Sequence, residues 1–228
     1  MEAPSLPITP LLAQWRRLYL APEGGPVRAL VLGLARPAEW APLAGVWAAV
    51  QDELGWPEPG IAVDGEQAYQ LWFSLEQAVA PPEAMALLQA LCARHLHTVA
   101  PERLRLLLGA APGDGPGQAL LPPRERGPER WSAFVARDLA PVFGDSPCLD
   151  IAPGEQHQAD LLARLRPVRP DEWQAAWQAL CATAPAAAVA TLPPLTPPSQ
   201  DALPAREAAR AFLLQVMNDD TAPLALRI

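Results

Sequence analysis

The side chains that most often carry catalysis are sparse in this sequence, and their spacing matches no known site. Cys92, His95 and His97 lie close together, but no second cluster of Cys or His completes a tetrahedral metal site. Cys92 and His95 are three residues apart on an apolar helix face, so we expect both to pack in the core. No Gly-x-Ser-x-Gly motif is present, and nothing pairs Cys148 with His157 as nucleophile and base. We predict no metal and no cofactor.

Paired carboxylates, the ligands of a two-metal site, would have to come from alternate residues of a strand, whose side chains share one face. The apolar run from Val27 to Leu34 contains no acid, and neither does the run from Leu104 to Leu108. Gly33 and Ala35 stand where a late-strand acidic pair would be expected. Asp64 precedes a glycine, which favours a role in a turn. These strands therefore lack the acids of a two-metal site.

Arginines form one dense group after a Pro-Pro step. The group contains Arg124, Arg126, Arg130 and Arg137, interleaved with Glu125, Glu129 and Asp138. Two interpretations are open: a solvated surface whose charges compensate each other, which we favour, and a groove for phosphate. In the second interpretation the phosphate-binding residues are Arg124, Arg126 and Arg130.

Aromatic residues mark one candidate strand, where Tyr69 and Phe73 share a face and Trp72 takes the other. Exposed aromatic side chains on such a sheet can stack against bases. No cations are adjacent to these three residues in the sequence, so packing in the core is the favoured interpretation.

The charge, the apolar stretches and the cysteines of the chain exclude several classes of protein. The chain has 228 residues, with 17 basic residues that are all arginine, 25 acids and a net charge of −8. This excludes a generally basic nucleic-acid binder, whose affinity comes from many cations facing phosphates. No signal-peptide pattern and no apolar stretch of about 18 residues is present. The three cysteines are widely spaced, so we expect a cytoplasmic protein without disulfides and without a membrane partner.

The elements that must position these residues follow a recognisable order. Residues 27–109 are predicted as strand, helix, strand, strand, helix, strand, with a hairpin turn at Asp64-Gly65. This order is typical of the split βαβ unit of ferredoxin-like and RRM-like α+β folds, an antiparallel sheet with helices on one face. We predict a helix within residues 1–26, with Thr9 as N-cap, and an α/β domain over residues 27–183 that includes a mixed C-terminal extension.

Three features lie outside that core. The Arg-Pro-x-Glu-Trp pattern at Arg36–Trp40 recurs at Arg169–Trp173, and we interpret each copy as a helix start with proline at the first position. Residues 132–143 are predicted as a helix or a strand pair. Residues 184–204 are proline-rich and predicted as a linker. An amphipathic helix from Glu207 to Met217 follows, within a tail of residues 205–228.

The hairpin also carries a family resemblance. The segment from Asp64 to Trp72 resembles the Ser-Gly-x-x-Gly-Tyr-His-Leu-Trp hairpin of the archaeo-eukaryotic primase (primase-polymerase) superfamily. The order of the neighbouring elements is compatible over about residues 27–173. The resemblance implies a nucleotide site that includes Asp64, Gly65, Tyr69, Gln70 and Trp72.

Departures from the family pattern are more informative than the matches. Gln70 replaces the family histidine that contacts the phosphate of the incoming nucleotide, and Asp64 and Ala68 replace the small serine and the second glycine. The family's metal-binding acids fall on strands that are apolar here. The resemblance therefore implies a primase-like fold whose polymerising site is absent.

Three hypotheses follow. The leading hypothesis is a noncatalytic primase-like module associated with a nucleotide or nucleic acid. The alternative is a protein-interaction or scaffold module that uses the proline-rich segment and the helix from Glu207 to Met217. The third is an enzyme of unknown class built from dispersed acids, namely Asp64, Glu66, Asp150 and Asp160.

Overall fold

A computed structural model describes residues 9–21, 25–111 and 118–181. It is a mixed α+β structure around a six-stranded sheet of order β4-β1-β3-β2-β8-β7, in which all neighbouring strands are antiparallel. The strands are β1 (Val27–Ala35), β2 (Gly60–Val63), β3 (Ala68–Val79), β4 (Leu104–Leu108), β7 (Arg124–Gly127) and β8 (Arg130–Val135). A separate parallel pair joins β5 (Ala110–Ala111) to β6 (Ala119–Leu120).

The predicted hairpin between β2 and β3 is confirmed, and its turn is built by two residues. The Oδ1 atom of Asp64 accepts hydrogen bonds from the backbone N–H groups of Glu66, Gln67 and Ala68 at 2.8–2.9 Å. Gly65 has φ of +81°, a left-handed conformation that side chains with a Cβ rarely adopt. The Asp-Gly signal in the sequence therefore specified the turn for the expected physical reason.

One face of the sheet, called here the first face, is covered by α2 (Trp40–Asp52), α3 (Pro81–His95) and α5 (Pro170–Leu180). Apolar side chains from alternate positions of the strands pack there against the helices. Buried members from the strands include Leu30, Leu32, Leu34, Ile61, Val63, Tyr69, Leu71 and Phe73. Since all of these are at most 5% exposed, the first face forms the main core.

The opposite face, called here the second face, carries α1 (Pro10–Leu18) and α4 (Glu155–Ala163). Tyr19, Trp72 and Phe134 form its aromatic cluster, with ring centroids 5.2–5.8 Å apart. The expectation of helices on one face concerned the core over residues 27–109, whose helices α2 and α3 both pack on the first face. The helices of the second face, α1 and α4, lie outside those residues. The N-terminal helix and the helix after β8 bury the apolar residues of the second face, which would otherwise face water.

Two of the predicted helix starts are confirmed, and one is wrong. Thr9 caps α1 by accepting a hydrogen bond from the N–H of Leu12, and α5 begins at Pro170 as predicted. At the earlier Arg-Pro step the prediction is wrong, because α2 begins at Trp40. Arg36 has φ of +50°, which is incompatible with entering a right-handed helix directly.

The Arg36–Trp40 connection is held by the side chain of Arg103, which lies outside the Arg-Pro-x-Glu-Trp pattern. The guanidinium of Arg103 donates to the carbonyl oxygen of Pro37 at 2.8 Å and forms an ion pair with Glu39 at 2.6 Å. These contacts hold the connection between β1 and α2 in place. A short motif could not predict it, because Arg103 lies more than 60 residues further along the chain.

Of the remaining predicted segments, residues 132–143 are described by the structure and those after residue 183 are not. The Ser132–Phe143 region is a strand followed by a 3-10 helix (Arg137–Phe143), so neither predicted alternative is correct. The predicted linker over residues 184–204 and the predicted helix from Glu207 to Met217 lie outside the described residues. Among the described helices, none is long and apolar enough to cross a membrane.

Candidate functional site

A polar cleft of about 240 Å³ lies at one end of the second face, beside the β2–β3 turn. Two of its lining residues, Arg105 on β4 and Gln70 on β3, pair with Gly33 of β1 from either side in the sheet. The other lining residues are Asp64, Glu66, Gln67, Leu107, Gln118, Leu120, Pro122, Arg126 and Ser132. The cleft therefore joins the hairpin of the predicted nucleotide site to part of the arginine group.

Gln70 is held in a defined orientation at the floor of the cleft. The buried Trp72 donates its indole N–H to Oε1 of Gln70 at 2.9 Å. Since an indole nitrogen can only donate, the amide oxygen must face Trp72, and the amide NH2 group is free to donate elsewhere. Trp72 thus positions a cleft residue while its own ring is buried.

Two of the three predicted phosphate-binding arginines reach the hairpin turn. Arg126 forms an ion pair with Glu66 at 2.7 Å. Arg130 donates to the carbonyl oxygen of Gly65 at 3.1 Å and also to that of Glu66. Of the three, only Arg126 lines the cleft, and Arg124 and Arg130 do not. The charge of Arg126 is therefore paired, but by Glu66 of the hairpin and not by the acids that are interleaved with the arginine group.

The hairpin acids are also engaged. Asp64 uses one carboxylate oxygen to accept three backbone N–H groups of its own turn. The carboxylate of Glu66 faces Arg126. Asp160 instead accepts a hydrogen bond from Gln156 on α4, and neither Asp150 nor Asp160 lines the cleft. The dispersed acids proposed for an enzyme are therefore not assembled at this site.

Tyr69, which the resemblance places in the nucleotide site, lies on the first face. Its hydroxyl donates to the carbonyl oxygens of Ala140 and Gly144, at 2.9 and 3.2 Å. Burial raises the pKa of this hydroxyl, and the nearby Asp145 carboxylate raises it further. Tyr69 and Phe73 pack in the core as predicted, so neither ring is available to stack on a base.

Arg105 is the cleft residue that the sequence reasoning missed. It is exposed and has no ion pair or side-chain hydrogen bond with another residue of the described ranges. It is also the one charged residue in the run from Leu104 to Leu108. A cation between apolar residues of a strand is the signal that could have identified a polar position on the second face.

The cysteine and histidine cluster is not a metal site. Cys92 is 8% exposed in the main core, and burial raises the pKa of its thiol to about 11. His95 has a buried Nε2 atom without a partner in the described part of the chain, and burial lowers the pKa of its imidazole. Within the described ranges, no group of three His, Cys, Asp or Glu side chains is arranged to hold a metal ion.

Comparison with known proteins does not assign the chain to a family. No protein-family model matches the chain, and no curated protein matches it.

Proposed function

We propose that this chain is a primase-like module that binds a nucleotide through its phosphates and does not polymerise. The observation that carries the proposal is the cleft, in which Arg105, Arg126 and the Gln70 amide present cationic or donor groups beside the hairpin. Phosphate oxygens are pure acceptors and are bound best by such groups.

A ferredoxin-like core is part of the proposal. Elements β1, α2, β2, β3, α3 and β4 follow each other in that order, and their strands lie in the order β4-β1-β3-β2 with antiparallel neighbours. Both helices pack on the first face. This connectivity supports the split βαβ unit expected from the sequence.

The strands beside the cleft support the proposed absence of polymerase chemistry. The resemblance implies acids near Gly33 and Ala35, and these positions carry none. The acids that do reach the cleft are each engaged through one oxygen: Oδ1 of Asp64 accepts backbone N–H groups, and Oε1 of Glu66 faces Arg126. Two-metal phosphoryl transfer needs carboxylates that are free to coordinate cations, and this cleft does not supply them within the described residues.

We expect the ligand to be a mononucleotide and not a nucleic-acid strand. A nucleic-acid strand presents many phosphates, and its affinity grows with the number of cations that face them. The net charge of the chain is −8, and of the two arginines in this cleft only Arg105 lacks an ion pair with another described residue. The lining also carries the Asp64 and Glu66 carboxylates, so it has no excess of positive charge, and Arg105 is the cation that it offers to one phosphate group.

The proposal is tested by two assays on the full chain. A primed template with nucleoside triphosphates and Mg²⁺ or Mn²⁺ should give no extension, whereas equilibrium titration with a nucleoside triphosphate should give saturable binding. Arg105→Gln should weaken that binding. Arg94→Gln is the matched control, because Arg94 lies on α3, which packs on the first face. Template-directed extension, or equal binding by the Arg105 variant and the wild type, would contradict the proposal.

A further inference from the structure

A second cleft, of about 220 Å³, lies at the end of β2 that is remote from the hairpin turn, where β2 begins and β8 ends. It shares no lining residue with the polar cleft beside that turn. Most of its wall is apolar and comes from α2, from both strands and from the end of α4: Trp47, Ile61, Phe134, Leu161, Leu162 and Leu165. A cleft of this size and lining suits a small ligand with an apolar body.

The side chain of Tyr19 lies directly behind the wall of the second cleft. Its ring is fully buried and stacks on the ring of Phe134, with centroids 5.8 Å apart. A Cβ added to Gly60, another lining residue, would come within 2.8 Å of the Tyr19 hydroxyl oxygen. The same point is 3.2 Å from the side chain of Leu165 and 3.5 Å from the Phe134 ring. The hydroxyl therefore lies against three residues of the cleft, and the absence of a side chain at Gly60 makes room for it.

The Tyr19 hydroxyl is a buried hydrogen-bond donor that lacks an acceptor. Its oxygen has no hydrogen-bond partner among the described residues. Burial raises the pKa of this hydroxyl, so it stays protonated and can donate. The second tyrosine of the chain, Tyr69, is also buried but donates to two backbone carbonyls. Since buried polar groups are normally satisfied, an acceptor is missing at the wall of the second cleft.

The charged residues of the second cleft balance each other. Two are cationic, Arg137 and Arg164, and two are acidic, Glu58 and Asp138. The guanidinium of Arg137 lies over the ring of Trp47, 4.7 Å from its centroid, which is a cation–π contact. A lining with equal numbers of cations and acids favours neither sign of charge, so the ligand that fits is neutral.

We propose that the second cleft binds a small neutral molecule that has an aromatic ring and a carbonyl oxygen, and that Tyr19 donates a hydrogen bond to this oxygen. The ring packs against Trp47 and Phe134. Because the hydroxyl is closed off in the free chain, the flexible end of the Leu165 side chain shifts as the carbonyl oxygen enters. This site is independent of the proposed nucleotide site.

The experiment is a two-dimensional ¹⁵N NMR titration of the full chain with two probes. Acetophenone has a phenyl ring and a carbonyl oxygen, and ethylbenzene has the same carbon skeleton without the acceptor. We expect acetophenone to give saturable shifts in the amide signals of Gly60, Ile61 and Leu165. The signals of Gly33 and Gln70, at the hairpin cleft, should stay unmoved.

Two tyrosine variants test the role of the hydroxyl. Tyr19→Phe should weaken acetophenone binding about tenfold and leave ethylbenzene binding unchanged, because it removes only a hydrogen-bond donor. In the free chain it should leave the midpoint of thermal unfolding unchanged or raise it, since the buried donor has no partner to lose. Tyr69→Phe is the matched control: it should lower the midpoint, because two hydrogen bonds are lost, and bind both probes like the wild type.

Four results would overturn the proposal. The first is the absence of saturable acetophenone shifts at the second cleft, and the second is acetophenone binding that Tyr19→Phe leaves unchanged. The third is equal weakening of both probes by Tyr19→Phe, which indicates a change of shape and not the loss of a hydrogen bond. The fourth is a free Tyr19→Phe chain that unfolds at a lower temperature than the wild type, because its hydroxyl would then already have a partner, water included. None of these results bears on nucleotide binding at the hairpin cleft.

Discussion

The two faces of the sheet are built from the same strands and differ in what interrupts their apolar surface. On the first face, the strand side chains that pack against α2, α3 and α5 are apolar apart from the Tyr69 hydroxyl, and most of them are buried. On the second face the apolar cluster around Trp72 ends at one row, where Arg105, Gly33 and Gln70 lie side by side. The first face contains the larger buried core, and the row of the second face is where we propose that a ligand binds.

The difference shows how to recognise a site in a sheet that is covered by helices on both faces. Alternation places successive residues of a strand on opposite faces, so Gln70 and Tyr69 are neighbours in sequence and serve different faces. Tyr69 holds the 3-10 helix region through two backbone carbonyls, whereas Gln70 offers donors to the cleft.

The largest expected loss of stability comes from a substitution in the core of the first face. Phe73→Ala should lower the free energy of unfolding by about 3–5 kcal/mol, because it leaves a cavity in a core where Phe73 is 1% exposed. Urea denaturation measures the loss. Gln70→Ala on the opposite side of the same strand is the comparison, and we expect it to cost about 1 kcal/mol. Equal losses would remove the distinction between the two faces.

A second prediction concerns the turn that carries the cleft acids. Gly65→Ala should destabilise the chain by about 1–3 kcal/mol, since φ is +81° and a Cβ would come within 2.7 Å of the Ser132 nitrogen. Gly45→Ala is the matched control, because Gly45 lies inside α2 with no atom near an added Cβ. Alanine there should stabilise the helix by about 0.5–1 kcal/mol. Chemical denaturation of both variants shows whether each free energy of unfolding rises or falls. A more stable Gly65→Ala variant would contradict the requirement for glycine at this turn.

A smaller effect is expected at the base of the same turn. Asp64→Ala removes the acceptor of three backbone N–H groups and should cost about 1–2 kcal/mol. Asp64→Asn keeps an oxygen acceptor and should cost less. If Asp64 instead served as a metal ligand, Asn and Ala would abolish a metal-dependent activity alike while leaving thermal stability unchanged.

The smallest expected effect is a pH-dependent loss of stability at Glu172 on α5, one of the helices that cover the first face. Arg166 donates two hydrogen bonds to the Glu172 carboxylate, which together with the N–H of Arg169 lowers the pKa of Glu172. This stabilisation is present above the ordinary glutamate pKa of about 4.3 and is lost as pH falls through the lowered value. Glu172→Gln should therefore cost about 1 kcal/mol or less at pH 7. In urea titrations this difference should shrink in acid, and a constant difference would contradict the account.

Local signals in the sequence were sufficient for most strands and for the hairpin. Val27–Ala35 and Leu104–Leu108 are short apolar runs between turn residues, and Asp64-Gly65 specifies its own turn. The start of α2 was not predictable, because the segment before Trp40 depends on Arg103 and on the left-handed φ of Arg36.

The cleft was predictable only in part, because it is assembled by tertiary contacts. The arginine group and the hairpin were both identified, but the Arg126–Glu66 ion pair joins residues 60 positions apart. Arg105 was overlooked since its neighbours made β4 look uniformly apolar. Once β1 is flanked by β3 and β4, the strand register alone brings Arg105, Gly33 and Gln70 together.

The central claim is that the polar row of the second face binds a nucleotide phosphate while the first face only holds the fold. The most direct measurement is a two-dimensional ¹⁵N NMR titration of the full chain with a nucleoside triphosphate in EDTA. We predict shifts in the amide signals of Gly33, Gln70, Arg105 and the β2–β3 turn, with the signals of α3 and α5 unmoved. Shifts confined to α3 and α5, or no shifts at saturating nucleotide, would contradict the account.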